Sequence, residues 1–322
     1  MAYNCIVLAK QVPDTKRITG QVMNDDGTVN RAALPAIFNP EDLHALEMAL
    51  QIKDRFGGKI TVLSMGPPAA SNSLRESLFR GADEAILITD PRCAASDTLA
   101  TSYILACAVR KLDFDIVLCG RQAIDGDTAQ VGPQLAEKLG ITQITYVEEL
   151  VELNGEHITA QRNIGNGWQQ VKASLPVLLT VTSDANEPRV AAARKMMKYK
   201  NARTPVEVER EVRSSAPTPV VGGRSQKPAL NQVEETENRE EEIKKLVENK
   251  CGELKEKGLL IKQWDLDFIA ADLNWCGRSG SPTKVHRIRS VVLAAKETKD
   301  VEPSEKAISD MIHKLIEDKI IA

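Results

Sequence analysis

The sequence predicts an α/β protein with a parallel, doubly wound sheet. Short, nearly continuous apolar runs alternate with helical patterns through the first half of the chain. Strands covered by helices on both faces read this way, because neither face is left for polar residues. After about Leu139 the texture changes to consecutive strand-like runs with no helix between them.

The apolar runs are NCIVLA (4–9), KITVLSMG (59–66), EAILITD (84–90) and DIVLCG (115–120). Asn39 can cap a helix that opens with Pro40, Glu41 and Asp42 and places Leu43, Leu46 and Leu50 on one face. SNSLRESLFRG fits a second helix stopped at Gly81, and ASDTLATSYILACAVRKL a third, capped by Ser96 or Asp97. Helical spacing resumes at Val131, Leu135 and Leu139. ITYVEELVEL, EHITAQRNI and WQQVKASLPVLLTVT then read as a meander that can be antiparallel, with Asn154-Gly155 as one hairpin turn. From about Thr204 the globular pattern fades. SSAPTPVVGGRSQKPA (214–229) reads as a linker. A charge-dense helix follows, with Ile243, Leu246, Cys251 and Leu254 at helical spacing. The tail holds WCGRSGSPTKV (275–285), a strand-like RSVVLAA, and a last helix from about Pro303 with Ile308, Ile312 and Leu315 on one face.

Composition narrows the function. The 322 residues are 42% hydrophobic and 27% charged, as in globular proteins. A net charge of −3, only 4% aromatics and no basic stripe argue against nucleic-acid binding. The six cysteines (5, 93, 107, 119, 251 and 276) form no CxxC pair, and the four histidines have no metal-ligand spacing, so no metal site is expected. No secretory leader opens the chain, and no apolar run approaches the ~20 residues of a membrane span. A reducing cytoplasm is the expected location.

Right-handed crossovers, with strands one to three winding outward, send the fourth strand to the other side of the first. The crevice beyond those two strands is where open α/β sheets bind ligands, and AKQVPDT (9–15) and GRQAIDGDT (120–128) line it. In the second loop Gly120 and Gly126 let backbone N–H groups approach an anion. Asp127 or Thr128 can start the next helix, whose N-terminus favours negative charge. Arg121, Gln122, Thr128 and Gln130 add donors, whereas Asp125 and Asp127 oppose a bare phosphate and suit ribose hydroxyls or a cap. A plain strand-to-helix turn and a ligand loop both remain open here, with a magnesium site on the two aspartates a weaker third. Asn39-Pro40-Glu41-Asp42 and SMGPP (64–68) point into the same crevice, and capping and a rigid exit turn account for them equally well.

Taken together, AKQVPD, FNPEDLHALEMAL, SMGPP, GADEAILITD, CGRQAIDGDTAQVG, NEPR (186–189) and GSPTKV (280–285) resemble the β subunit of electron transfer flavoproteins over nearly the whole chain. The resemblance implies an adenine-nucleotide α-hydrolase-like α/β domain, with an added meander and an extended C-terminal arm. It implies domains at 1–205 (with a recognition loop at about 184–204) and 261–322, the latter packing on an α subunit that carries its own FAD. The resemblance also implies that residues 206–260 are an insertion between segments the family joins almost directly, far longer than an ordinary loop. The β-subunit site would hold FAD or AMP, using Leu8, Asn39, Pro40, Glu41, Asp42, Met65, Gly120, Arg121, Gln122, Ala123, Ile124, Asp125, Gly126, Asp127, Thr128, Ala129, Gln130 and Val131.

AIDGDTAQVG and SDTLATS (96–102) look like the electron-bifurcating branch. That branch implies NADH as donor, ferredoxin or flavodoxin and a flavin-dependent dehydrogenase as partners, and Asp97, Thr98 and Thr101 near the flavin ring or NADH. The same three residues also suit capping and a polar helix face. The housekeeping alternative holds AMP and passes single electrons toward a quinone-linked acceptor. Partner recognition would fall on Arg189, Ala193, Lys195 and Met196, where Ala193 stands in place of the usual leucine anchor. Two readings of another class keep the fold without redox chemistry: an ATP pyrophosphatase, which lacks its SGGxDS-type loop here, and a nucleotide-sensing protein, which lacks its glycine-rich loop. No acid–base or nucleophilic catalytic set is evident.

Overall fold

The computed structural model describes residues 1–14, 35–215, 230–283 and 301–317. Its centre is a sheet of nine strands: β1 (Cys5–Leu8), β4 (Ile60–Met65), β5 (Glu84–Ile88), β6 (Ile116–Gly120), β7 (Thr142–Asn154), β8 (His157–Asn163), β9 (Trp168–Ser174), β10 (Val177–Val181) and β11 (Lys262–Trp264). β2 (Gln11–Pro13) and β3 (Ala36–Phe38) form a separate antiparallel ribbon. The order is β11-β5-β4-β1-β6-β10-β7-β8-β9. Thus β1, β4 and β5 wind outward and β6 returns to the far side of β1, as the crossover argument expects. Cys5 pairs with Ile60 on one side and Ile116 on the other, all parallel.

Alternating residues of each central strand serve two cores. Val7, Val62 and Leu118 face α1 (Pro40–Phe56) and α2 (Ser71–Arg80), in a core with Leu46, Ala49 and Leu74. Ile6, Leu63, Val117 and Cys119 face α3 (Thr98–Val109) and α4 (Val131–Leu139), with Ile104, Leu105 and Leu135. This double burial is why the runs carry no polar alternation.

The second half departs from a simple meander. β7, β8 and β9 are antiparallel, with the turn after Asn154 in place. WQQVKASLPVLLTVT, however, is two strands. The chain breaks at Leu175-Pro176, and β10 inserts parallel between β6 and β7. Tyr146 (φ +58°), its N–H bonded to Thr180 Oγ1 at 3.0 Å, marks an irregularity in the pairing of β7 with β10. The Leu175 N–H donates to Glu156 O at 3.0 Å, so the β7–β8 turn lies near the foot of β10.

The segment beyond Thr204 is also more ordered than its composition implies. After the short α5 (Ala193–Tyr199), α6 (Pro205–Ser215) and α7 (Leu230–Glu256) pack together through Val208, Val212 and Ile243, flanked by Val247, Cys251 and Leu254. Val247 takes the place expected of Leu246, which is exposed. The expected linker falls mostly at 216–229, outside the described residues. Glu207 anchors the helix pair by accepting from Ser71 Oγ, Arg75 and the Thr204 N–H at 2.9–3.0 Å. The two ends of the insertion meet. Arg203 N–H donates to Leu259 O at 3.0 Å and Ile261 N–H donates to Arg203 O at 2.9 Å.

Within residues 261–283, at the start of the expected C-terminal arm, the chain adds an edge strand to its own sheet. β11 pairs with β5, and Arg92 bonds both Asp90 and Asp267. RSVVLAA lies outside the described residues. The last helix, α8 (Glu305–Glu317), exposes Ile308, Met311 and Ile312.

Because both ends of the insertion are tied to one bridge, replacing residues 205–258 with a few glycines and serines should leave the rest folded. A single cooperative thermal transition with near-UV circular dichroism close to the parent is expected. Loss of that transition would place the helix pair inside the folding core.

Candidate nucleotide site

The crevice at the carboxyl ends of β1 and β6 is organised by three residues at the start of α1. Asn39 occupies the N-cap position, yet its side chain makes no cap bond. Its Nδ2 donates to Gln122 O at 2.9 Å, and its Oδ1 accepts from the Ile124 N–H at 3.2 Å. Glu41 accepts from the Gln122 N–H at 3.0 Å and from Arg121 at 2.7 Å. Asp42 accepts from the Gly120 N–H at 3.0 Å and the Lys10 N–H at 2.8 Å. All three are buried. The expectation of plain capping is thereby corrected, since these side chains join the loops after β1 and β6. Pro40 presets the first helical turn without a donor to satisfy.

The approach is close enough to require glycine at 120. A Cβ there would lie 2.6 Å from the Glu41 carbonyl carbon and 2.7 Å from Asp42 Oδ1. At Gly132 a Cβ would lie 2.9 Å from both Cys119 Sγ and Thr180, so glycine lets α4 settle onto β6 and β10. Burial pushes the Asp42 carboxyl up to about 7, against the lowering effect of the Lys10, Asn39 and Gly120 hydrogen bonds.

Past Gln122 the loop turns on Ala123 O, which accepts from the N–H groups of Gly126 (3.2 Å) and Asp127 (2.9 Å). Asp125 meets Lys10 Nζ with both oxygens at 2.8 Å. Asp127 and Ala129 are left-handed, at φ +48° and +53°, and Asp127 accepts from Gln122 Nε2 at 3.0 Å. α4 begins at Val131 with Gln130 in the cap position, so neither Asp127 nor Thr128 starts the helix. The N–H groups of Thr128, Ala129 and Gln130 make no hydrogen bond with another described residue. They precede the free first-turn amides of α4. Left-handed residues beside unpaired N–H groups form the concave backbone site that anions favour, and the helix dipole adds to it. Gly126 opens to free space. These features fit a phosphate-bearing ligand.

On the far wall, Thr98 Oγ1 donates to Gln130 Oε1 at 2.9 Å. Asp97 caps α3 through the Ala100 N–H at 3.0 Å and also accepts from the Thr283 N–H at 3.0 Å. Burial raises the Asp97 pKa, but these N–H groups outweigh it and hold the carboxyl below its ordinary value. Asp97 thus fastens the 277–283 segment to α3, with its own N–H bonded to Ser281 Oγ at 2.8 Å. Thr101 is half-buried, and its N–H is spent on Asp97 O. Leu8 is buried and Met65 half-buried at the ends of β1 and β4. Sequence reasoning missed two groups here. Lys10 lies in a loop noted only as a segment, and the buried Ser64 Oγ has no partner among the described residues.

The NEPR segment is held at its base. Asn186 and His44 exchange bonds of 2.9 and 3.0 Å. Arg189, expected to face a partner, turns onto buried Glu47 (2.8 and 3.0 Å) and onto Asp54 (2.9 Å). Beyond it, Ala193 is exposed at the start of α5 and Lys195 is half-buried. Val190, Met196 and Met197 are 84%, 43% and 65% exposed. Val190 and Met197 were not singled out in the sequence, because exposure of apolar residues has no local signature.

A family profile described as the electron transfer flavoprotein domain matches residues 26–211. The β subunit of an electron transfer flavoprotein from Clostridium acetobutylicum is 49% identical over 193 residues, 60% of this chain and 73% of that protein. One from Megasphaera elsdenii is 49% identical over 208 residues, 62% and 76% of the two chains. The electron transfer subunit gamma of acryloyl-CoA reductase from Anaerotignum propionicum is 47% identical over 188 residues, 57% and 69%. Among the described residues, no helix is long and apolar enough to cross a membrane.

The buried Asp42 carboxyl makes stability depend on pH. Between about pH 4, where an unfolded aspartate releases its proton, and about 7 the folded chain retains that proton. Stability from this group should therefore fall as pH rises through that window and level off above it. Urea midpoints measured across the window should show this slope in the parent and a flatter one in D42N. Equal slopes would assign the pH dependence to other groups.

Proposed function

Because this chain belongs to the electron transfer flavoprotein family and is similar to its β subunits, we propose that the crevice between β1 and β6 holds FAD by its diphosphate and ribose. Electron transfer beside an α subunit is the role the family carries. The observation supporting the nucleotide is the run of unpaired N–H groups at Thr128, Ala129 and Gln130, in a loop fixed by Asn39, Glu41 and Asp42. Residues 120–131, with Leu8 and Met65, would line the adenosine half, and Asp97, Thr98 and Thr101 stand on the wall toward which a longer cofactor extends. A bound flavin would supply one- and two-electron chemistry; the protein supplies position and electrostatics. The chain's own residues hold the phosphate, tie the start of α3 to the start of α4 through Thr98 and Gln130, and carry no acid–base step.

In this reading the complex works by electron bifurcation. NADH is the donor, ferredoxin or flavodoxin takes one electron, and a flavin-dependent dehydrogenase receives the other through the α-subunit FAD. The resemblance of the subunit to one named for acryloyl-CoA reductase supports a dehydrogenase or reductase partner. Val190, Met196 and Met197, presented on a segment locked to α1 and α2, would serve as the apolar contact in place of the leucine anchor.

Nucleotides released by acid from the purified heterodimer should include two FAD per complex. One FAD with one AMP would instead assign the housekeeping role, and a colourless complex would remove the flavoprotein reading. Asp127→Ala, placing a less tolerant residue at φ +48° and losing the Gln122 bond, should lower nucleotide retention in this subunit several-fold while the α-subunit FAD stays bound. The double variant M196A/M197A should raise the KM for the dehydrogenase partner about tenfold, as expected when a hot-spot contact is truncated, with flavin content unchanged. An unaltered KM would move the docking contact elsewhere.

A further inference from the structure

The proposed phosphate loop contains an electrostatic conflict. Asp125 sits at the apex of the turn that closes on Ala123 O, three residues before the run of unpaired amides at 128–130. A free carboxylate there repels the anion that those amides and the α4 dipole attract. Asp127 is hydrogen-bonded by a neutral amide, and the charge of Arg121 is matched by Glu41. Neither compensates Asp125.

Lys10 does. Its ammonium meets both Asp125 oxygens at 2.8 Å. Its own N–H is held by Asp42 at 2.8 Å, so the side chain starts from a fixed point on the opposite loop. We propose that Lys10 is a positioning residue that makes this loop tolerate phosphate, cancelling the Asp125 charge across the mouth of the crevice. The inference rests on the crevice being a nucleotide site. It adds that the affinity for the charged part of the nucleotide, and not for the nucleoside, depends on a residue outside the binding loop.

A second function for the pair, as a mechanical tie between the loops, makes a different prediction, and charge removal separates the two. In K10Q the tie and the compensation are both lost. In K10Q/D125N the tie stays lost, but the uncompensated charge is gone as well.

The test uses the heterodimer stripped of nucleotide in this subunit, titrated calorimetrically with ADP and with adenosine. K10Q should weaken ADP by about tenfold, the scale of a single partly screened charge, and leave adenosine within about twofold. K10Q/D125N should restore ADP binding to within about threefold of the parent, and K10R should stay close to the parent. Raising salt should narrow the gap between K10Q and parent. A double variant as weak as K10Q, or equal losses for ADP and adenosine, would overturn the compensation and leave a mechanical tie. An unchanged K10Q would overturn both. A parent complex that binds neither ADP nor adenosine would instead remove the nucleotide site on which the inference stands.

Discussion

The arrangement depends on the buried contact between the first turn of α1 and the backbone of the loop after β6. Asn39, Glu41 and Asp42 use their side-chain oxygens on N–H groups of residues 120, 122 and 124, and Asp42 reaches Lys10 as well. Loop N–H groups at the end of a sheet must find acceptors or water, and here they find carboxylates and an amide from one helical turn. Burying an aspartate raises its pKa toward neutrality, so the contact is held against a desolvation cost. That cost is offset by the two N–H donors and by fixing the spacing of two loops at once.

The remainder of the loop is free because its first half is so tightly held. Left-handed backbone at Asp127 and Ala129 is unfavourable for residues with a Cβ and persists only where the surroundings over-determine it. The Ala123 turn, the Gln122–Asp127 bond and the Thr98–Gln130 bond supply that constraint. They leave unpaired the N–H groups just ahead of α4, on which the proposed phosphate contact rests. Glycine appears against the α1 backbone at 120, against the Cys119 and Thr180 side chains at 132, and where the loop faces open space, at 126.

The exposed segment after Arg189 and the α6–α7 pair are attached to this frame by buried or half-buried charges. Glu47 holds Arg189 at the base of the recognition segment, and Glu207 holds Arg75 at the base of the added helix pair. Each pair fixes where an exposed surface stands relative to the sheet without joining the crevice between β1 and β6. The helix pair, with its own small core and adjoining ends, is the most separable of these surfaces.

Read alone, the sequence determined the parallel sheet, the order of its first four strands and the position of the loop at the crevice. Continuous apolar runs imply burial on both faces, and crossover handedness then leaves few topologies. It did not determine the place of β10. An apolar run such as VLLTV reads the same whether its neighbours are parallel or antiparallel, and Pro176 marks a break without a destination. Nor could it separate a helix cap from a clamp at Asn39, since both need the same side-chain oxygen and differ only in which N–H group is near. Val247 displaced Leu246 because two adjacent apolar residues fit the same period until a facing helix selects one. Arg189 and Lys10 likewise show their roles only through partners distant in the chain. Local pattern specifies which residues are buried; only the tertiary structure decided which buried groups meet, because that depends on the distances between elements the sequence keeps far apart.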